Sequence, residues 1–392
     1  MLVGMSSNPA LTTSPVAGTP AARSAARWKH LLNLPNVLTL CFLIVCGIFI
    51  FNHALWIDEA QAFVIARDSP SLSALFVNLR YEGHPPLWHI LLWGITRFTT
   101  RVQAMQALHL LLAGTSVYLV ARFAPFPAPA KILFAFGYFP LFEYGIISRN
   151  YQLVMLLTFV FCALWQQRRG AYLWLGVTLA LLCLSHVMGV IIGAGLGMAL
   201  LLEAVCTRDG RAAIGRRPVR FVLAVLIAGG GAALSVKLLA PPPDSGYATG
   251  WDFLWNWPHF VKTLSILRDG IMPIPAWRVH FWDGHMIATT VFAAKCGCAL
   301  ALGGLLCIGL SWRAVVFYLI SIAGQCAFSY VKFFGGVRHH GGLFVTLIAA
   351  LWIAWGIPAR LPASAAIWRR IGLHIGQGAL IGDAELAQLL EL

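Results

Sequence analysis

Charge is what this sequence has least of. Only 11% of its 392 residues are Asp, Glu, Lys or Arg, and the acidic residues number 14. A soluble domain carries about 25% charged residues, so this composition cannot cover a water-facing globular surface. Segments of about ten residues with alternating polarity are missing too, which argues against a transmembrane β-barrel. Internal repeats and a separate soluble domain are also missing. The first apolar run begins near Asn36 without a clear cleavage site, so it is expected to stay as a span. The nine cysteines (Cys41, Cys46, Cys162, Cys183, Cys206, Cys296, Cys298, Cys307 and Cys326) form no spaced framework. Almost all lie inside apolar runs and are expected to be small packing residues, not disulfide or metal ligands.

What is present is apolar: 59% of the residues are hydrophobic. Several uncharged runs reach the roughly 20 residues needed to cross a bilayer. The expected fold is an all-α polytopic membrane protein. Its candidate spans are 36–56, 102–121, 131–147, 151–166, 171–185, 187–206, 219–240, 286–310, 313–331 and 342–358. The net charge of +14 does not point to nucleic acid, because most basic residues sit in short clusters between apolar runs, the positive-inside pattern. That pattern also settles the stretch "PPLWHILLWGITRF" at 85–98. If it lies along the membrane instead of crossing it, 166–170, the arginine-rich loop 207–220, and Arg360, Arg369 and Arg370 all share the N-terminal side. The expectation is therefore ten spans with both termini cytoplasmic. Residues 1–35 form a disordered tail, 36–370 the membrane domain and 371–392 a second cytoplasmic tail.

Most of the scarce acidic residues then fall outside. Asp58, Glu59, Glu82, Glu143, Asp252, Asp269 and Asp283 are placed on the face that holds loop 57–101 and the long loop 241–285. Loop 57–101 reads as two or three amphipathic helices resting on the membrane surface. One covers 57–66. Another restarts after Ser69-Pro70, with Leu72, Leu75, Phe76 and Leu79 in one stripe.

Three motifs in order carry chemistry: "ALWIDEAQAF" at the end of the first run, "HPPL" some 25 residues later, and "EYGIISRNYQLVMLLTF" entering a later span. Together they resemble the protein O-mannosyltransferases and, more widely, the GT-C membrane glycosyltransferases that include the bacterial aminoarabinose transferases. The resemblance covers 36–210 and thereafter only hydropathy and a basic motif before the last span. It implies a polyprenyl-phosphate-linked sugar donor, inversion at the sugar, an active site facing away from the cytoplasm, and Asp58 as general base. The chain has no room for the extracytoplasmic domain many relatives carry, so a small or lipid-borne acceptor is expected among glycans, lipids and proteins. High Ala, Gly and Arg content suggests a GC-rich bacterium, and the expected location is then its inner membrane.

The residues suit that chemistry. A sugar hydroxyl is a poor nucleophile, and a carboxylate within hydrogen-bond reach can take its proton. The alternative for Asp58 or Glu59 is a helix-start carboxylate; Glu59 is expected to bind substrate or to support Asp58. A leaving polyprenyl phosphate gains charge, which cations stabilise most in the transition state. Candidates are Arg149 and, in "YVKFFGGVRHHGG", Lys332, Arg338, His339 and His340, which could instead be interfacial anchors. A divalent metal on the histidines is an open alternative; no other cofactor is expected. His84 could orient either substrate, or only begin a helix. Glu143 could hold Arg149 or bind a sugar hydroxyl, and Tyr151 flanks the same arginine. His186 is expected to be a packing residue. The Trp-rich stretch in 241–285 reads as an interfacial belt, with acceptor contact as its alternative. The rival to an enzyme is a transporter or flippase for a lipid-linked or anionic substrate, which broken spans in two symmetric halves would favour.

Overall fold

The computed structural model describes residues 33–245, 250–277, 284–287, 289–309 and 311–356. Residues 1–32 of the expected N-terminal tail, the C-terminal tail 371–392, Asp283, and Arg360, Arg369 and Arg370 lie outside the described residues. Among the described residues every regular element is helical and none is a strand.

The elements are α1 (Leu34–Ile50), α2 (Ile57–Asp68), α3 (Leu72–Asn78), α4 (Leu87–Thr96), α5 (Gln103–Phe123), α6 (Ala128–Ala135), a π-helical turn (Tyr138–Ile146), α7 (Tyr151–Trp165), α8 (Tyr172–Cys183), α9 (Val187–Cys206), α10 (Arg208–Arg216), α11 (Pro218–Leu239), α12 (Trp257–Leu264), α13 (Ile266–Ile271), α14 (Thr290–Ile308), α15 (Trp312–Val331) and α16 (Val337–Trp355). Six of them, α5, α9, α11, α14, α15 and α16, are long and apolar enough to cross a membrane. The helices α1, α7 and α8 are apolar but shorter, at 17, 15 and 12 residues. At 1.5 Å per residue α8 spans only about 18 Å, so length alone supports six spans and not the expected ten.

Of two expectations about continuity, one holds and one does not. The run 171–206 divides as expected, into α8 and α9, at Leu184–His186. The run 131–147 is not one helix. It breaks at Gly137, whose backbone is extended, and Pro140 in the next segment has no N–H to give a continuing helix, so 138–146 winds as a π-helix instead. The stretch 85–98 holds α4, ten residues long, about 15 Å and too short for a bilayer core of about 30 Å. Its buried Trp88 and Leu92 pack against Phe63 and Ala66 of α2. The next helix also starts later than expected. Ser71, not Ser69, caps α3, its hydroxyl accepting the Ala74 N–H at 3.1 Å.

The bundle packs through α1 on α5, α5 on α7, α9 on α15, and α16 on α13, α15 and α7. Polar ties inside it are short: the Gln106 amide donates to Ile50 O at 2.6 Å and the Gln152 amide to Ser116 Oγ at 2.6 Å. All nine cysteines are unpaired thiols. One helix, α11, is largely uncovered and lies along α8, where Gly176 lets the two backbones touch. A Cβ at Gly176 would sit 2.6 Å from Ala224 Cα and 2.6 Å from its carbonyl oxygen.

Gly176→Val should therefore cost about 1–3 kcal/mol through overpacking. Gly230→Ala, at a helical position with nothing within 4 Å, should gain about 0.5–1 kcal/mol. Thermal unfolding of the two variants in detergent checks both signs.

Candidate functional site

Five segments distant in sequence meet at one end of the bundle: the start of α2, the His84-Pro85-Pro86 turn, the turn 147–150 before α7, the break at Leu184–His186, and the start of α16. Backbone groups tie them together. The Leu87 N–H donates to Leu184 O at 3.1 Å, and the Asn150 side-chain amide donates to Ser185 O at 3.0 Å.

The two adjacent carboxylates are divided between two environments. Glu59 is fully buried, at 0% exposure. It accepts the Trp56 N–H at 2.9 Å and the Ser148 N–H at 2.6 Å, and His53 Nε2 lies 3.5 Å away. Asp58, one residue earlier and about 100° round the helix, keeps 40% of its side chain exposed and forms an ion pair with Arg149. Arg338 Nη2 lies 3.8 Å from the same oxygen, and its guanidinium sits over the Trp56 ring at 4.8 Å.

Arg149 is the hub. Its side chain is 10% exposed, and burial pulls its guanidinium below the ordinary value. Arginine nonetheless stays charged, so it needs an anionic partner. Its Nη2 lies 3.4 Å from His84 Nε2. Burial pushes the His84 imidazole down to about 4, so the ring is neutral at pH 7 and Nε2 can accept that hydrogen bond. The His186 ring lies tilted against those of His84 and Tyr151, with centroids 5.6 Å and 4.6 Å away; burial holds it well below the usual histidine range. Tyr151 stacks on Tyr144 at 5.5 Å and meets the edge of His339 at 5.7 Å. The Tyr144 hydroxyl donates to Arg338 O at 2.8 Å, which fixes the start of α16. Gly341 permits this approach, since a Cβ there would lie 2.2 Å from the Tyr144 oxygen.

Asp58, His84, Arg149, Tyr151, Arg338 and His339 are thus brought together. Glu59 stands behind Asp58 as a buried clamp, the supporting alternative of its two expected roles. The other expected residues lie elsewhere. Glu143 is buried in the π-helical turn and receives the Tyr138 hydroxyl at 2.8 Å. Lys332 donates to Gly250 O at 3.0 Å and lies over Trp251. His340 points away, its Nε2 toward Phe334 O at 2.8 Å and its Nδ1 3.3 Å from Asp269, which also pairs with Arg268. His339 Nδ1 accepts the Gly336 N–H at 2.9 Å, so the two adjacent histidines serve different places. Among the described residues no group of three His, Cys, Asp or Glu is placed to hold a metal ion.

Sequence reasoning missed Trp56, His53 and His186 as members of this site. Trp56 was legible as the aromatic residue two positions before the carboxylates. His186 gave no signal beyond interrupting an apolar run. Compared with protein-family models, curated proteins and solved structures, the chain matches none.

Two predictions follow from these environments. Glu59→Ala should orphan the Trp56 and Ser148 N–H groups at about 1–3 kcal/mol each, read as a large drop in thermal midpoint. Acidification should also destabilise. The unfolded chain takes protons at His84 and His186 near pH 6.5, which folded His84 does not take until about 4. Stability is therefore present above 6.5 and falls as pH drops, for His84 between 6.5 and 4 and by about 1 kcal/mol at pH 5.5, with His186 acting in the same direction. His53, raised mainly by its hydrogen bond to Glu59, works the opposite way and offsets part of this. His84→Gln should flatten the profile of midpoint against pH.

Proposed function

We propose that the chain is a membrane glycosyltransferase that moves a sugar from a polyprenyl-phosphate donor to an acceptor hydroxyl. The observation that carries this reading is the half-open Asp58 carboxylate held between Arg149 and Arg338. The motif resemblance of the Asp-Glu, HPPL and Arg-Asn-Tyr segments supports it.

In this reading the ion pair is a resting arrangement. The donor phosphate is a better partner for two guanidiniums than a single carboxylate, because it presents more oxygens for bidentate contacts. Its binding draws Arg149 and Arg338 onto the phosphate and releases Asp58. The sugar ring enters between them. The acceptor hydroxyl then attacks the anomeric carbon from the side away from the phosphate while Asp58 takes its proton. The anomeric C–O bond breaks, and its electron pair leaves on the phosphate, whose added charge the arginines hold. This in-line displacement inverts the sugar. His84, neutral and hydrogen-bonded to Arg149, keeps that guanidinium aimed. The closed arrangement has to open: the cavity bordering His84, lined also by Phe76, Leu79, Pro86 and Leu238, has only about 20 Å³, near the space of one water.

With α1, α7, α8 and the α6–π segment counted as spans, the chain crosses ten times in a bacterial inner membrane. Both termini are then cytoplasmic, and Asp58 faces the exterior.

The test is transfer of labelled sugar from a polyprenyl-phosphate donor pool in isolated membranes, at matched expression. Asp58→Asn should lower turnover about 10²–10⁴-fold, the usual weight of a general base, with donor binding retained. Arg149→Gln should lose about 10²–10³-fold, as for a group that stabilises transition-state charge, and should weaken donor binding. Full transfer by Asp58→Asn would remove it from the mechanism. Translocation of the lipid without sugar transfer would hand the protein to the flippase reading.

A further inference from the structure

A second charged cluster occupies the opposite end of the bundle, where α7, α9 and α11 have their far ends from Asp58. Glu203 of α9 is fully buried and is approached by three guanidiniums: Arg168 and Arg169 at 3.2 Å and Arg313 at 3.8 Å. Asp209 adds one carboxylate, paired with Arg169 at 3.0 Å. Beside this group lies a cavity of about 330 Å³, lined by Arg169, Gly170, Asp209, Arg216 and Arg217 among others. At about 30 Å³ per water this is room for on the order of ten waters.

The charges do not balance. Both carboxylates are already committed to arginines, yet Arg216 and Arg217 also line the cavity. Arg217 reaches only a carbonyl, Gly170 O at 3.3 Å, and Arg216 has no carboxylate partner among the described residues. Both guanidiniums are exposed at the mouth of this half-open cavity, where an anion can reach them from outside. A second observation says what kind of anion fits. Directly after Arg217, α11 runs away from the cavity with an uncovered apolar flank: Val219, Val222 and Leu223 are 69%, 53% and 43% exposed. Charge for a headgroup is thus continuous with apolar surface for acyl chains. Basic pockets between helices at the cytoplasmic side of a membrane hold anionic lipid headgroups in this way.

We propose that this cavity binds the phosphate of an anionic phospholipid, with Arg216 and Arg217 on the headgroup, Arg169 held behind them by Glu203 and Asp209, and the acyl chains along α11. The site is separate from Asp58 and independent of the transferase reading.

The experiment titrates short-chain phosphatidylglycerol onto the full chain in neutral detergent by calorimetry, with short-chain phosphatidylcholine and inorganic phosphate as comparators. Phosphatidylglycerol should bind and phosphatidylcholine should not. Arg216→Gln/Arg217→Gln should weaken binding by about 30-fold, the value of two basic side chains at an anionic surface. Arg216→Lys/Arg217→Lys should restore most of it. Arg122→Gln/Lys131→Gln removes two charges from the same end outside the cavity and should change little. Equal loss in that control, or equal binding of the two lipids, overturns the proposal. Inorganic phosphate binding as tightly as phosphatidylglycerol also overturns it, and makes the cavity a soluble-anion site. Unchanged thermal midpoints without lipid show that the variants fold.

Discussion

Everything at the candidate site depends on one buried carboxylate. Glu59 is closed off from solvent, and a buried charge must be compensated by hydrogen bonds. It takes them from backbone N–H groups of two chain segments, at Trp56 and at Ser148. That requirement locks the start of α2 to the turn before α7. With the clamp set, Asp58 is turned outward by the helix itself, and Arg149, one residue past Ser148, meets it. The adjacent acidic pair thus divides its labour. One carboxylate is sacrificed to geometry so that the other can be held in place and stay accessible.

The two ends of the bundle use charge in opposite ways. At the Asp58 end a single half-open carboxylate faces two arginines with buried histidines around them. At the far end Glu203 is closed in by arginines and cannot rearrange without leaving a bare buried charge. Between the ends the helices are tied by short amide and hydroxyl hydrogen bonds and by close backbone contact. The charged ends are therefore held about one helix length apart, with little ionic chemistry in the middle.

Composition made the helical, membrane-compatible class legible, because so few charges leave little choice. The site was partly legible as well. Asp58, His84, Arg149 and Arg338 were each singled out as ionisable groups at the ends of apolar runs, and they meet. The roles of their neighbours were not legible. Glu59 could not be told from Asp58 by sequence, since which of two adjacent residues faces the interior depends on what packs above them. Nor could the separation of His339 from His340, for the same reason on α16. The π-helical break at 138–146 was hidden because Gly137 and Pro140 sit inside an otherwise continuous apolar run. The number of spans was less legible, because α1, α7 and α8 are apolar but only 17, 15 and 12 residues long.

The ion group at Asp58 is assembled from positions 58, 149 and 338, so Arg338 trails Asp58 by 280 residues of chain. At synthesis rates of about 5–20 residues per second, the second arginine emerges tens of seconds after the carboxylate. During that interval Asp58 and Arg149 can already pair, and the nascent chain carries no uncompensated buried arginine at this turn. The three-residue ion group is complete only when α16 docks. A chain stalled before that helix would hold the Asp58–Arg149 pair without Arg338.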